Sequence, residues 1–89
     1  MTPNDLSRFV ANRLINAGFP EFSGSVVSVD GGLRMGLEFP DVPKSADDVV
    51  WVTAEDIAQP ETSRLHVLRS RTDAVINRWA AYLQEPLDQ

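Results

Sequence analysis

Residues 60–84, PETSRLHVLRSRTDAVINRWAAYLQ, contain no Gly and no Pro after the first position, and they constrain the chain more than any other stretch. Leu65-His66-Val67-Leu68-Arg69 does not alternate, which excludes a strand. At about 100° per residue on a helix, Leu65, Leu68, Val75, Ile76, Trp79, Tyr82 and Leu83 fall in one arc roughly 120° wide. Thr72 interrupts the middle of that arc and Arg64 sits at its edge. Pro60 suits the first turn, Glu61 favours the positive end of the helix dipole, and Pro86 ends the helix. A long one-sided helix must bury its apolar arc against something, and the rest of the chain has to supply it.

The 89 residues make a single domain over residues 1–89, close to the smallest size that one core sustains. The absence of cysteine removes disulfides, a thiolate nucleophile and zinc–thiolate sites. MTPNDLSRFV does not read as a signal peptide, and no apolar run approaches the roughly 18 residues that span a bilayer. A cytoplasmic protein is expected. The net charge of −5 is unevenly spread. Residues 21–59 hold eight acids against Arg34 and Lys44, whereas residues 60–84 hold four arginines against Glu61 and Asp73. Within one fold the two blocks partly neutralise each other.

Taken in order, Thr2-Pro3-Asn4-Asp5 is a helix opening with a capping threonine, a first-turn proline and a capping-box acid. Leu6, Phe9, Val10, Leu14 and Ala17 share one face of the helix that follows. Gly18 is its left-handed stop, with Phe19 packing back and Pro20 preventing continuation. From Ser23 to Phe39 the period becomes two, broken by Asp30-Gly31-Gly32. A three-residue loop pairs Val29 with Leu33 and Val27 with Met35, which makes one face continuously apolar, and it puts Gly32 in the left-handed position. Pro40 to Asp48 is a loop, read as the most mobile segment. Val49 to Thr53 is a third strand, and Thr53-Ala54-Glu55-Asp56 caps a single turn before the long helix.

The predicted class is α+β in the order α-β-β-β-α, a three-stranded antiparallel meander with two helices packed on one face. A second stripe on the long helix, Val67, Ser70, Ala74, Asn77 and Ala81, is mostly small. It is expected to let the first helix approach closely, or alternatively to serve as a homodimer seam.

Enzyme signatures are missing, and no catalytic residue, cofactor or metal site is expected. His66 falls on the polar side of the long helix without a ligand partner. Asp47 and Asp48 precede the third strand while Glu55 and Asp56 follow it, about 16 Å away, too far to share one ion. The element order resembles that of double-stranded-RNA-binding domains. The resemblance stops at order, because Pro60, Glu61, Thr62 and Ser63 stand where those domains present lysines. A sequence pI near 4.6 also opposes phosphate binding. Arg64, Arg71 and Arg78, spaced by seven, are expected to answer the chain's own acids.

What remains is a surface for another protein. With Val27, Val29, Met35, Leu37, Val50 and Val52 turned to the helices, Val26, Arg34, Gly36, Glu38, Val49 and Trp51 face outwards. The indole of Trp51 can then lie across Gly36. Periodicity alone also permits the opposite orientation of the third strand, which would move the interface to the helices and Arg71, Arg78 and Ala81. The expected partner-binding residues are therefore Trp51, Val49, Val26, Arg34, Glu38, Arg71 and Arg78. The expected function is a non-enzymatic interaction module: a small acidic adaptor, inhibitor or immunity-type protein of the sort that phages and mobile elements encode. The alternative is a structural assembly subunit, such as a virion component.

Overall fold

The computed structural model of the chain describes residues 1–84. Its elements are α1 (Pro3–Asn16), β1 (Ser23–Val29), β2 (Gly32–Glu38), β3 (Val49–Val52), α2 (Ala54–Ala58) and α3 (Glu61–Gln84). The strands form one open antiparallel sheet in the order β1-β2-β3. This is the α+β meander, with α2 as the capped turn after the third strand. The proposed stop at Pro86 lies outside the described residues.

Local chemistry sets the helix ends. The Thr2 hydroxyl accepts from the Asp5 N–H and the Asp5 carboxylate accepts from the Thr2 N–H, a complete capping box. At the other end of α1, Gly18 has φ 97°. Phe19 N–H donates to Leu14 C=O and Gly18 N–H to Ile15 C=O, the paired bonds of a Schellman stop. Thr53 and Asp56 repeat the capping box at α2.

The hairpin differs from expectation. Val29 pairs with Gly32, Val26 with Met35 and Val27 with Arg34, so the loop has two residues, Asp30 and Gly31. Both have positive φ, 48° and 81°, which matches the right-handed twist of the strands better than a wider loop does. Gly32 is needed for a different reason from the one expected. A Cβ there would lie 2.2 Å from the Val52 carbonyl oxygen, so glycine lets β2 and β3 close up. The consequence is a one-residue shift: Val26 turns toward the helices and is half-buried, while Val27 and Val29 point away from them.

The core lies between the sheet and the helices. Leu6, Val10 and Leu14 of α1 meet Leu33, Met35 and Leu37 of β2, Val50 and Val52 of β3, and Leu68, Val75 and Trp79 of α3. No β1 residue is fully buried. Phe19, Phe39 and Trp79 form an aromatic cluster with ring centroids 5.1–5.6 Å apart. Thr72, the interruption in the apolar arc, is buried by donating its hydroxyl to the Leu68 carbonyl at 2.7 Å. The arc ends at Trp79. Tyr82 and Leu83 are exposed, because a 24-residue helix reaches about 36 Å and a seven-residue strand only about 23 Å. The small stripe is not packed beneath α1: Ser70, Ala74, Asn77 and Ala81 are exposed, and Arg13 of α1 pairs with Asp73 beside the shared core.

Candidate functional site

The helices cover one side of the sheet and no described element covers the other. On that open side the register creates cross-strand rows. The central row is Val27, Arg34, Trp51, and the next is Ser25, Gly36, Val49. Trp51 thus neighbours Arg34 directly, and Gly36 stands beside Val49 rather than under the indole. A Cβ on Gly36 would meet nothing within 4 Å. Two shallow hollows flank Arg34. One, of about 450 Å³, runs over Ser25, Gly36 and Val49 toward Lys44; the other, of about 390 Å³, lies between Val29, Trp51 and Thr53.

The face is apolar for an exposed surface. Val27 is 54% exposed, Val29 44% and Trp51 42%. Arg34 sits among them with no hydrogen-bonded or ionic partner among the described residues. Glu38, at the end of the face, is occupied by Lys44 at 3.0 Å.

Trp51 is held rather than merely exposed. The Arg71 guanidinium stacks on its ring, 4.5 Å from the centroid. The same group donates to the Trp51 carbonyl at 2.6 Å and to the Asp56 carboxylate at 2.9 Å. Asp56 is fixed in turn by the α2 capping box, and its carboxyl is held below the ordinary value of 3.8, first by the Thr53 N–H and then by Arg71. A local sequence signal, Thr-Ala-Glu-Asp, therefore positions the Trp51 side chain through two intermediaries, Asp56 and Arg71.

Of the residues expected to bind a partner, Trp51, Val49, Arg34 and Glu38 share the open face. Arg71 borders it and acts on Trp51 instead of projecting freely. Two of the expectations are corrected. Val26 lies on the helix side, because the two-residue loop shifts β1 by one position. Arg78 is committed to the 40–48 loop, where it binds Ser45, Asp47 and the buried Asp48. Val27 and Val29 were missed. The Asp30-Gly31 pair, the strongest short signal for a two-residue turn, would have found them.

The arginine stripe is engaged within the chain. Arg64 donates to the Ile57 and Gln59 carbonyls, Arg71 pairs with Asp56, and Arg78 with Asp47 and Asp48. His66 is exposed. Among the described residues no three His, Asp or Glu side chains gather as a metal site, and no helix is long and apolar enough to cross a membrane. No protein family, curated protein or solved structure matches this chain.

Proposed function

We propose that the chain is a non-enzymatic protein-interaction module of the adaptor or inhibitor type, acting in the cytoplasm, and that its open sheet face binds the partner. One observation carries this reading: a large aromatic side chain stands exposed on an uncovered face, on the edge strand β3, and is pre-oriented by Arg71 and Asp56. Burial of a pre-oriented aromatic costs little side-chain entropy, which is why such residues dominate interface energetics. Val27 and Val29 extend the apolar area, and Arg34 offers a charge between them and the indole. The chemistry fits an apolar segment that carries a carboxylate. A cytoplasmic setting fits the lack of cysteine.

Trp51→Ala should leave the thermal melt nearly unchanged, since no packed cavity forms, and should weaken binding of an identified partner by about 2 kcal/mol or more. The partner is sought by comparing what immobilised wild type and Trp51→Ala retain from the native host. Unfolding of the variant, or unchanged affinity, contradicts the reading. With the arginine stripe engaged internally, labelled duplex RNA should show no salt-sensitive binding near physiological ionic strength. Micromolar affinity that falls steeply with salt would move the reading to nucleic acid. Size measurement separates the assembly-subunit reading from this one: open-ended assembly supports it, a discrete particle does not.

A further inference from the structure

The outer edge of β1 carries backbone groups with no partner, and their identity follows from the hydrogen-bond phase. Leu37 N–H donates to Asp48 C=O, so the odd residues of β2 bond to β3 and its even residues bond to β1. In β1 those partners are Ser23, Ser25, Val27 and Val29. The N–H and C=O groups of Gly24, Val26 and Ser28 therefore point away from the sheet, and none has a hydrogen-bond partner among the described residues. Natural edge strands are protected by charge, proline, a bulge or a covering element. SGSVVSV has no charge and no proline, and its register with β2 is unbroken.

We propose that this edge pairs with the same edge of a second copy, antiparallel and centred on Val26, so that two three-stranded sheets become one of six strands. The register opposes Val26 to Val26 and Gly24 to Ser28 of the second copy. It satisfies every outward group of the three residues on both chains and leaves none over. On the open face it sets Ser25 opposite Val27 and Ser23 opposite Val29, side chains small enough to pass without a clash, and no two like charges meet within the strand. A two-fold pairing of this kind uses up the edge in both copies, so it closes as a dimer.

The helix layer identifies the occupant. Arg13 of α1 reaches across to Asp73 of α3, and Ile15 is turned about 200° from Arg13 around the helix. Ile15 thus points away from α3, toward the side on which the β1 edge lies, and it is 50% exposed. An isolated peptide strand would fill the sheet edge and leave this isoleucine in water. A second copy continues both layers, with its own α1 and Ile15 arriving beneath the joined strands. The same pairing brings Asp30 of one copy near Glu21 of the other at each end of the ladder. Salt should therefore tighten the dimer, by screening these carboxylates and the charge of −5 on each chain. The proposal goes beyond the Trp51 reading and does not depend on it, because side chains on the open face stay free in the dimer.

Sedimentation equilibrium of the full chain from low to high micromolar concentration tests it. The expected result is a reversible dimer at twice the 9.9 kDa chain mass that strengthens as salt is raised. Ser28→Pro deletes one outward N–H without touching a β1–β2 bond, and Val26→Lys opposes two ammonium groups at the dyad. Each should raise the dissociation constant at least tenfold with an unchanged circular dichroism spectrum. Should either variant misfold, Ile15→Glu, at an exposed helical position, reads the same interface and should weaken it as strongly. Trp51→Ala should dimerise like wild type even if it loses a partner protein. A monomer at all concentrations overturns the proposal, as does a dimer that Ser28→Pro, Val26→Lys and Ile15→Glu leave intact or that Trp51→Ala disrupts.

Discussion

The two edges of this sheet are built from similar strands and end up in opposite states. At the β3 edge, side chains from α3 fasten the strand and the loop before it: Arg71 takes the Trp51 carbonyl and Arg78 takes Asp48. Val49 N–H is also occupied, by the Asp47 carbonyl at 2.9 Å. At the β1 edge nothing of the kind happens, since α1 supplies no long polar side chain to it and the strand has only Gly, Ser and Val. The contrast teaches that burial and edge protection are separate achievements. β3 has both, whereas β1 borrows its place from β2.

The largest expected effect lies on the fastened side. Trp79→Ala should cost about 3–5 kcal/mol, because it empties the aromatic cluster beneath β2 and β3. Paired thermal melts check it, and a loss below about 1 kcal/mol would mean the fastened side is not the core of the fold. Arg78→Ala comes next, at about 1–3 kcal/mol, because it strands a carboxylate that is only 4% exposed. Adding Asp48→Asn should recover part of that loss, and failure to recover any would show that Arg78 acts through packing alone.

The pH dependence is smaller and has a definite sign. Asp56 and Asp5 are both held below 3.8 by their capping bonds, so below that value the unfolded chain binds more protons than the folded one. Their contribution is present above pH 3.8 and disappears as pH falls through the lowered values. Melting temperature should accordingly be flat near neutrality and fall below about pH 4, with a shallower fall in Asp56→Asn. An equal slope in that variant would remove Asp56 from the account of how Trp51 is held. The smallest effect belongs to the open side: Val27→Ser should change stability by less than about 0.5 kcal/mol. A loss of more than about 1 kcal/mol would place Val27 in a packed environment and contradict the register.

Much of this was legible in the sequence because it is decided locally. Thr2-Pro3-Asn4-Asp5 and Thr53-Ala54-Glu55-Asp56 specify their capping boxes within four residues. The apolar arc of α3 could be read from period alone, as could the opposite faces of Arg34 and Met35. The hairpin register could not be reached by maximising one apolar face, because β1 does not obey that rule: two of its three valines, Val27 and Val29, point outwards. Turn chemistry overrode patterning there. Nor was the hold of Arg71 on Trp51 legible, since it joins residues 20 positions apart through a helix that had first to be placed.

Hydrogen–deuterium exchange along β1 at two protein concentrations tests the central claim most directly. In dilute protein the N–H groups of Gly24, Val26 and Ser28 should exchange fast while those of Ser25, Val27 and Val29, bonded to β2, are protected. At high concentration the first three should become protected too, by the second copy, with the others unchanged. Equal exchange of Gly24, Val26 and Ser28 at both concentrations, or an alternation with the opposite phase, would contradict the account.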